Sequence, residues 1–400
     1  MLGNQQLEDV LSDWNFWERA PASSVRREAL SAFPKVWRKD LVWVVQGVRR
    51  SGKSTLLAQL MSDRKLDPQS CFFVNFEDPR VSDEMGYPLL DAIVALAEAR
   101  ALPSKERFFF FDEIQEVSGW ERWLHTQTAK KKSHFVITGS NATLLGGKLG
   151  SALTGRHLSV ELFPFNFEEF CVFKNAPPSS GKTQLDVFLQ EGGFPGALQD
   201  EAPAQILRTL FVDIIERDVR RQVAARSVQS LVQIAKAVFD STGSELSARK
   251  LAAHAGLAVD TVKTYLDAIE AAYLALPCQF FTYSERQRMV RPCKYYPVDL
   301  GMLSAVTTPR SDPLADRGKR LETLVFHHLR RRHRDVFYWR GKNEVDFVVN
   351  EGGALIPIQV SWDGLKPRHE IGAREFAETF KNVAPVRSIT RENVEAFLRE

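Results

Sequence analysis

The chain has 400 residues, 44% of them hydrophobic, and its 53 lysines and arginines nearly cancel its 50 aspartates and glutamates to a formal net charge of +3. That length can bury more than one core, which predicts two or three domains, and the near balance of charge means that any nucleic-acid surface must be a local one. No apolar run approaches the roughly 18 residues of a membrane helix. The N-terminus has no basic region leading into an apolar stretch, and the 4 cysteines are widely spaced, so we expect a cytoplasmic, membrane-free protein with free thiols.

In chain order, short apolar runs at 41–46, 71–76, 108–112, 134–138 and 158–162 alternate with amphipathic stretches, the pattern of a parallel sheet covered by helices. A spacer with Asn175, Pro177, Pro178, Ser179, Ser180 and Gly181 predicts a loop out of that layer. Residues 183–240 read as a helical lid, with Phe211, Ile214, Ile215 and Val219 at helical spacing. Two helices, 247–255 and 259–274, joined at Gly256, resemble a helix-turn-helix, and 277–283 with 295–298 predict the two strands of a wing. After Asp312 and Pro313 a last unit is expected, with a helix at 321–332 and strands at 336–340, 344–349 and 355–360.

The most informative segment is Gly47-Val48-Arg49-Arg50-Ser51-Gly52-Lys53-Ser54, which fits GxxxxGK[ST] between an apolar strand and a helix. Glycines at Gly47 and Gly52 let the backbone wrap phosphates, and the amides of Arg50, Ser51, Gly52, Lys53, Ser54 and Thr55 are placed to bind them at a helix start. Lys53 should neutralise the β- and γ-phosphates of ATP, and Ser54 should hold Mg²⁺. The run Phe108 to Phe111 ends in Asp112 and Glu113, a buried strand delivering two carboxylates: Asp112 for the Mg²⁺ shell and Glu113 to polarise the attacking water. The next strand ends in Thr138-Gly139-Ser140-Asn141, where Ser140 is the expected γ-phosphate sensor and Asn141 the second choice. Arg156, just before the fifth strand, is the expected arginine finger, acting in its own subunit or a neighbour's.

Together with Leu162-Phe163-Pro164-Phe165, Glu169-Phe170, Gly192-Gly193-Phe194-Pro195 and Glu344-Val345-Asp346-Phe347, these motifs make the chain resemble the AAA-like ATPases of archaea and bacteria that carry a C-terminal domain of uncharacterised function. The resemblance implies an α/β chain. Its parts are a three-layer P-loop core with an added strand and an N-terminal helical extension (1–182), a helical lid (183–240), a winged helix (241–312) and a restriction-endonuclease-like α/β domain (313–400). It also implies a homo-oligomer, with a hexamer among the options. In the last unit Glu322 and Asp346 stand where metal-binding carboxylates of the nuclease fold belong, but Gln359 and Ser361 replace the usual acid and lysine, so nuclease chemistry is not expected.

Two basic clusters suggest DNA. Arg286, Arg288, Arg291 and Lys294 fall between the wing strands, suited to phosphate contact with low sequence specificity. Arg330, Arg331, Arg332 and Arg334 form the second, with Tyr338 and Trp339 as stacking groups. The leading expectation is an ATP-driven DNA-remodelling ATPase, acting on branched DNA in recombination or repair. The alternatives are an ATP-dependent signalling or defence switch with a protein partner, and a metal-dependent endonuclease.

Overall fold

The computed structural model describes residues 4–81, 86–100, 105–141, 155–177, 181–223, 227–308 and 313–400. Pro178, Ser179, Ser180 and Asp312 of the expected linkers lie outside them. The chain divides into two compact units, Met1–Phe163 and Pro164–Glu400.

The first unit is built on five parallel strands: β1 (Val42–Gln46), β2 (Cys71–Asn75), β3 (Phe108–Asp112), β4 (His134–Gly139) and β5 (His157–Glu161), in the order β2-β3-β4-β1-β5. Strand β4 is thus inserted between β1 and β3. A sheet covered on both faces needs apolar residues at nearly every position, which is why β1 to β4 read as near-continuous runs, whereas the edge strand β5 is partly exposed. Alternation then sorts them into two cores. Val42, Val44, Phe109, Phe111 and Phe135 pack on one face with Leu89, Leu90 and Trp123. Trp43, Val45, Phe108, Phe110 and Val136 pack on the other with Leu56, Leu57 and Leu60. Each such side chain contributes about 1.5–3 kcal/mol by leaving water.

The N-terminal extension closes this sheet. After the helix Asn4–Trp14, the Asn15 amide donates to the carbonyl of Phe73 and accepts from its N–H, while Trp17 Nε1 donates to Cys71 O. The outer edge of β2 is therefore paired by side chains, which removes an open strand edge.

The second unit carries a seven-stranded mixed sheet, β12-β11-β10-β9-β7-β8-β6. Its strands are β6 (Glu245–Leu246), β7 (Ala275–Phe280), β8 (Cys293–Pro297), β9 (Phe337–Arg340), β10 (Glu344–Glu351), β11 (Ala354–Val360) and β12 (Arg387–Ile389). Strands β6, β8 and β7 pair antiparallel, and β9, β10 and β11 likewise; β7 and β9 are parallel and join the two groups. Helices Val228–Asp240, Ala248–Ala255 and Val259–Ala271 precede β7, with Gly256 at φ +65° ending the second of them. One expectation is corrected. The connection between β7 and β8 is not an open wing loop but contains the helix Glu285–Val290, started by Ser284, whose hydroxyl accepts from Gln287 N. A hydroxyl N-cap stabilises a helix start by about 1 kcal/mol, and the backbone bonds of the helix satisfy groups that a loop would leave to water.

Candidate functional site

The phosphate loop follows β1 directly. Leu162 N, just after β5, donates to Gln46 O across 2.7 Å, and Gly47 lies so close to this segment that a Cβ would stand 2.1 Å from Leu162 O. No side chain fits there. Gly52 has φ +99° and precedes the helix Lys53–Asp63, whose first amides face the loop. Arg50 also takes a positive φ, of 64°, and its side chain is exposed, whereas Arg49 turns to Glu77 at 2.9 Å.

Lys53 is buried. Its Nζ donates to Gly47 O at 3.2 Å and lies 3.3 Å from Glu113 Oε1. Ser54 Oγ donates to Asp112 Oδ2 at 2.5 Å, and Thr138 Oγ1 donates to Asp112 Oδ1 at 2.5 Å. Burial, and then the neighbouring Glu113, push the Asp112 carboxyl up to about 6, against the opposing bonds from Ser54 and Thr138. Burial also acts to raise Glu113, but Lys53 and the Gln115 amide outweigh it and hold that carboxyl below its ordinary value. Glu113 Oε2 accepts from Gln115 Nε2 at 2.5 Å and from Ser140 N at 3.2 Å. Parallel pairing thus brings Lys53, Ser54, Asp112, Glu113 and Ser140 together at the C-terminal ends of β1, β3 and β4.

Three residues of this neighbourhood escaped sequence reasoning. Thr138 holds Asp112, Gln115 holds Glu113, and Arg27 donates to the carbonyls of Ser51 and Phe163. Thr138 had a signal, since the residue beside Asp112 on an adjacent parallel strand must satisfy a buried carboxylate.

Arg156 is exposed, and its carbonyl accepts from Val42 N at the start of β1. The phosphate loop lies at the other end of that strand, roughly 16 Å away at 3.3 Å per residue. This placement sets Arg156 apart from the phosphate loop of its own subunit.

The basic cluster of the β7–β8 connection is broken up. Lys294 is the clear correction: it is 1% exposed, with Nζ 2.5 Å from Glu344 Oε1 and 3.7 Å from Glu322 Oε1, and cannot meet DNA. Burial acts to lower its pKa, but Glu322, Glu344 and Asp346 raise it well above the ordinary lysine value, so it stays charged. Arg288 donates to Glu285 and to Thr282 O and covers the Phe337 ring. Arg291 is exposed over the Phe280 ring, and Arg286 is exposed. The stacking role expected of Tyr338 and Trp339 is also corrected. They are 0% and 6% exposed, because β9 lies inside the sheet.

Around Lys294 stand the residues of the nuclease-like pattern. Tyr296 Oη donates to Glu322 Oε1 at 2.7 Å, Val360 N donates to Asp346 Oδ2 at 2.8 Å, and Gln359 Nε2 donates to Glu344 O at 2.7 Å. Burial raises the carboxyls of both Glu322 and Asp346. Ser361 lacks the expected ammonium, but β8 brings one in from Lys294.

A glycine-rich loop between a central parallel strand and a helix, with an acidic pair two strands away, defines a P-loop nucleotide-binding unit. Residues 39–171 match the family model described as an AAA domain, and residues 182–312 and 317–396 match two further models described as domains of unknown function. Residues 39–171 are accordingly similar to AAA domains, and residues 182–312 and 317–396 are similar to domains of unknown function. An uncharacterized protein of Haemophilus influenzae is 27% identical over 347 residues, covering 83% of this chain and 85% of the relative. The uncharacterized protein MJ1544 of Methanocaldococcus jannaschii is 29% identical over 357 residues, covering 84% and 78%. Among solved structures, Cdc6p of Pyrobaculum aerophilum aligns at a TM-score of 0.29 and 11% identity, covering 76% of this chain and 91% of that one. Aeropyrum pernix ORC1 in complex with DNA aligns at 0.34 and 11%, covering 74% and 95%.

Proposed function

We propose that this protein hydrolyses ATP with Mg²⁺ and couples turnover to the remodelling of DNA bound with low sequence specificity, branched DNA in recombination or repair being the favoured substrate. The observation that carries the hydrolytic part is the convergence of Lys53, Ser54, Asp112 and Glu113 within hydrogen-bond or ion-pair distance. Ser54 and Asp112 suit Mg²⁺, a cation that takes few protein oxygens and completes its shell with phosphate and water. Bound there, it would neutralise charge on the transferring phosphoryl group. Lys53 is held by Glu113 and can turn to the phosphates. Glu113, released from that pair but still oriented by Gln115 and Ser140, then takes up the attacking water as base. Arg156, exposed at the far end of the sheet, fits a finger supplied to a neighbouring subunit of a homo-oligomer.

The DNA reading draws support from the order helix, strand, helix, helix, strand, short helix, strand over 228–297, which suits a winged helix with a helical turn between its last two strands. Exposed Arg249, Lys250 and Lys263 on its helices and Arg286 and Arg291 beyond β7 could meet phosphates. Strands β9 to β12 with the helix Pro313–Arg332 suit a nuclease-like scaffold; with Lys294 already paired to its carboxylates, we assign it no cleavage. A protein-directed switch is favoured by one feature: Tyr283, Met289 and Val290, around the helix Glu285–Val290, are 72%, 84% and 79% exposed. The deciding experiment is the ATPase rate with and without duplex, single-stranded and four-way DNA. Stimulation by DNA supports remodelling; a rate indifferent to every DNA, with nucleotide-dependent capture of a protein, supports the switch.

A further inference from the structure

Arg27 lies well before the phosphate loop in sequence, yet it is 2% exposed and reaches that loop from behind. Its Nη1 donates to Ser51 O at 2.8 Å and its Nη2 to Phe163 O at 2.5 Å. The mount is firm. Arg27 N donates to Gln59 Oε1, and Gln59 Nε2 donates to Ser24 Oγ and Val25 O, so this segment is fastened along the helix Lys53–Asp63. Leu30 and Phe33 bury themselves in the adjoining core.

The consequence follows from the peptide group. The described peptide bonds are all trans, so the carbonyl of Ser51 and the N–H of Gly52 point in opposite directions from one rigid plane. A guanidinium that holds the carbonyl on the inner side turns the N–H outward, to the concave side where the loop would take a phosphate. Among the described residues no acceptor meets that N–H. The guanidinium also stands 3.2 Å from where a Gly52 Cβ would be, so any other residue at that position would press on it. The second bond, to Phe163 O, fixes the guanidinium against the segment that follows β5 and prevents it from following the loop.

We propose that Arg27 is a positioning residue of the nucleotide site, one that presents the Gly52 N–H to the β-phosphate without itself touching nucleotide. This rests on the ATP-site reading above. Hydrogen bonds to a charged group contribute enough that misplacing one weakens binding by about 10- to 100-fold. Because the contact is to the β-phosphate, ATP and ADP should lose affinity by the same factor in Arg27→Met. In Arg27→Lys, where an ammonium keeps the buried charge but cannot span both carbonyls in the plane of a guanidinium, the loss should be intermediate.

The test is titration of wild type, Arg27→Met and Arg27→Lys with ATP and ADP, with ³¹P NMR of saturating bound ADP and with Lys53→Ala as reference. Equal weakening for the two nucleotides, with the β-phosphorus resonance displaced and the α-phosphorus resonance unmoved, is the expected result. Wild-type affinity in Arg27→Lys and Arg27→Met overturns the proposal, and so does displacement of both resonances together, which would mark general distortion. If Arg27→Met does not fold, Arg27→Lys decides by the same criteria. A wild-type protein that binds neither nucleotide refutes the ATP-site reading instead.

Discussion

Replacing Lys294 with Met removes a cation that is 1% exposed and lies 2.5 Å from Glu344 and 3.7 Å from Glu322, leaving Glu344 only the half-exposed Arg340 at 3.8 Å. Breaking a buried ion pair by removing one partner costs about 3–5 kcal/mol, because the remaining charges lose compensation while staying desolvated. At roughly 2–4 °C per kcal/mol for a unit of this size, the melting temperature of the second unit should fall by about 6–20 °C near neutral pH. The effect should depend on pH with a definite sign. Burial already raises the carboxyls of Glu322 and Asp346, and the variant loses the ammonium that restrains that rise. An acid whose folded-state pKa exceeds its unfolded value binds protons more tightly when folded, so stability returns as pH falls through the raised value. The gap between variant and wild type is therefore widest above neutrality and narrows toward about pH 5. Adding Glu344→Gln should restore part of the loss. Calorimetry across that pH range on the full chain, with ATP affinity measured alongside and expected to stay unchanged, checks this. A loss below about 1 kcal/mol, the same at every pH, would refute the ion-cluster argument, since that is the scale of an exposed pair.

Lys53→Ala should abolish ATP binding, while Glu113→Gln should bind ATP but turn it over at least about a hundredfold more slowly, the usual cost of losing a catalytic acid–base group; equal losses of both activities in both variants would contradict the assigned roles. Mixing Arg156→Ala with Lys53→Ala subunits should recover turnover that neither shows alone, and an Arg156→Ala protein with wild-type turnover would end the finger assignment. Replacing Arg286 and Arg291 together should weaken binding to all duplexes alike and flatten the log–log salt slope by about 0.9 per lost contact. An unchanged slope would move the phosphate contacts elsewhere, with Arg249, Lys250 and Lys263 next in line.

Strands β1 to β4 of the first unit were legible because a doubly covered sheet demands nearly unbroken apolar runs, and Phe108 to Phe111 is such a run. The nucleotide residues were legible because their chemistry fixes their spacing. What could not be read was set by tertiary contact. Nothing in the local pattern around Arg27 marks it as buried, since an arginine beside Arg26 and Glu28 reads as surface. Lys294 was misread for a related reason: it follows Arg286, Arg288 and Arg291, and the run hid the fact that it sits in the strand Cys293–Pro297. A lysine inside a strand that is otherwise apolar, in a chain with Glu322, Glu344 and Asp346 in its last unit, was the available clue. The helix Glu285–Val290 was signalled by Ser284 with Gln287 three residues on, a helix-start pattern lost among the charges.

The parallel pairing of Gln279 and Phe280 with Phe337 and Tyr338 has a bearing on how this chain can be divided and inherited. A fragment starting near residue 313 would keep β9 to β12 but present the flank of β9 bare, with its N–H and C=O groups open to any passing strand. A fragment ending near residue 308 would expose β7 in the same way and would leave Lys294 without Glu344. Neither piece is a module that recombination could transplant alone. Gene fusions and truncations that preserve a soluble product should break before Pro164 or spare the whole of the second unit, and proteolysis should reveal the same indivisible remnant.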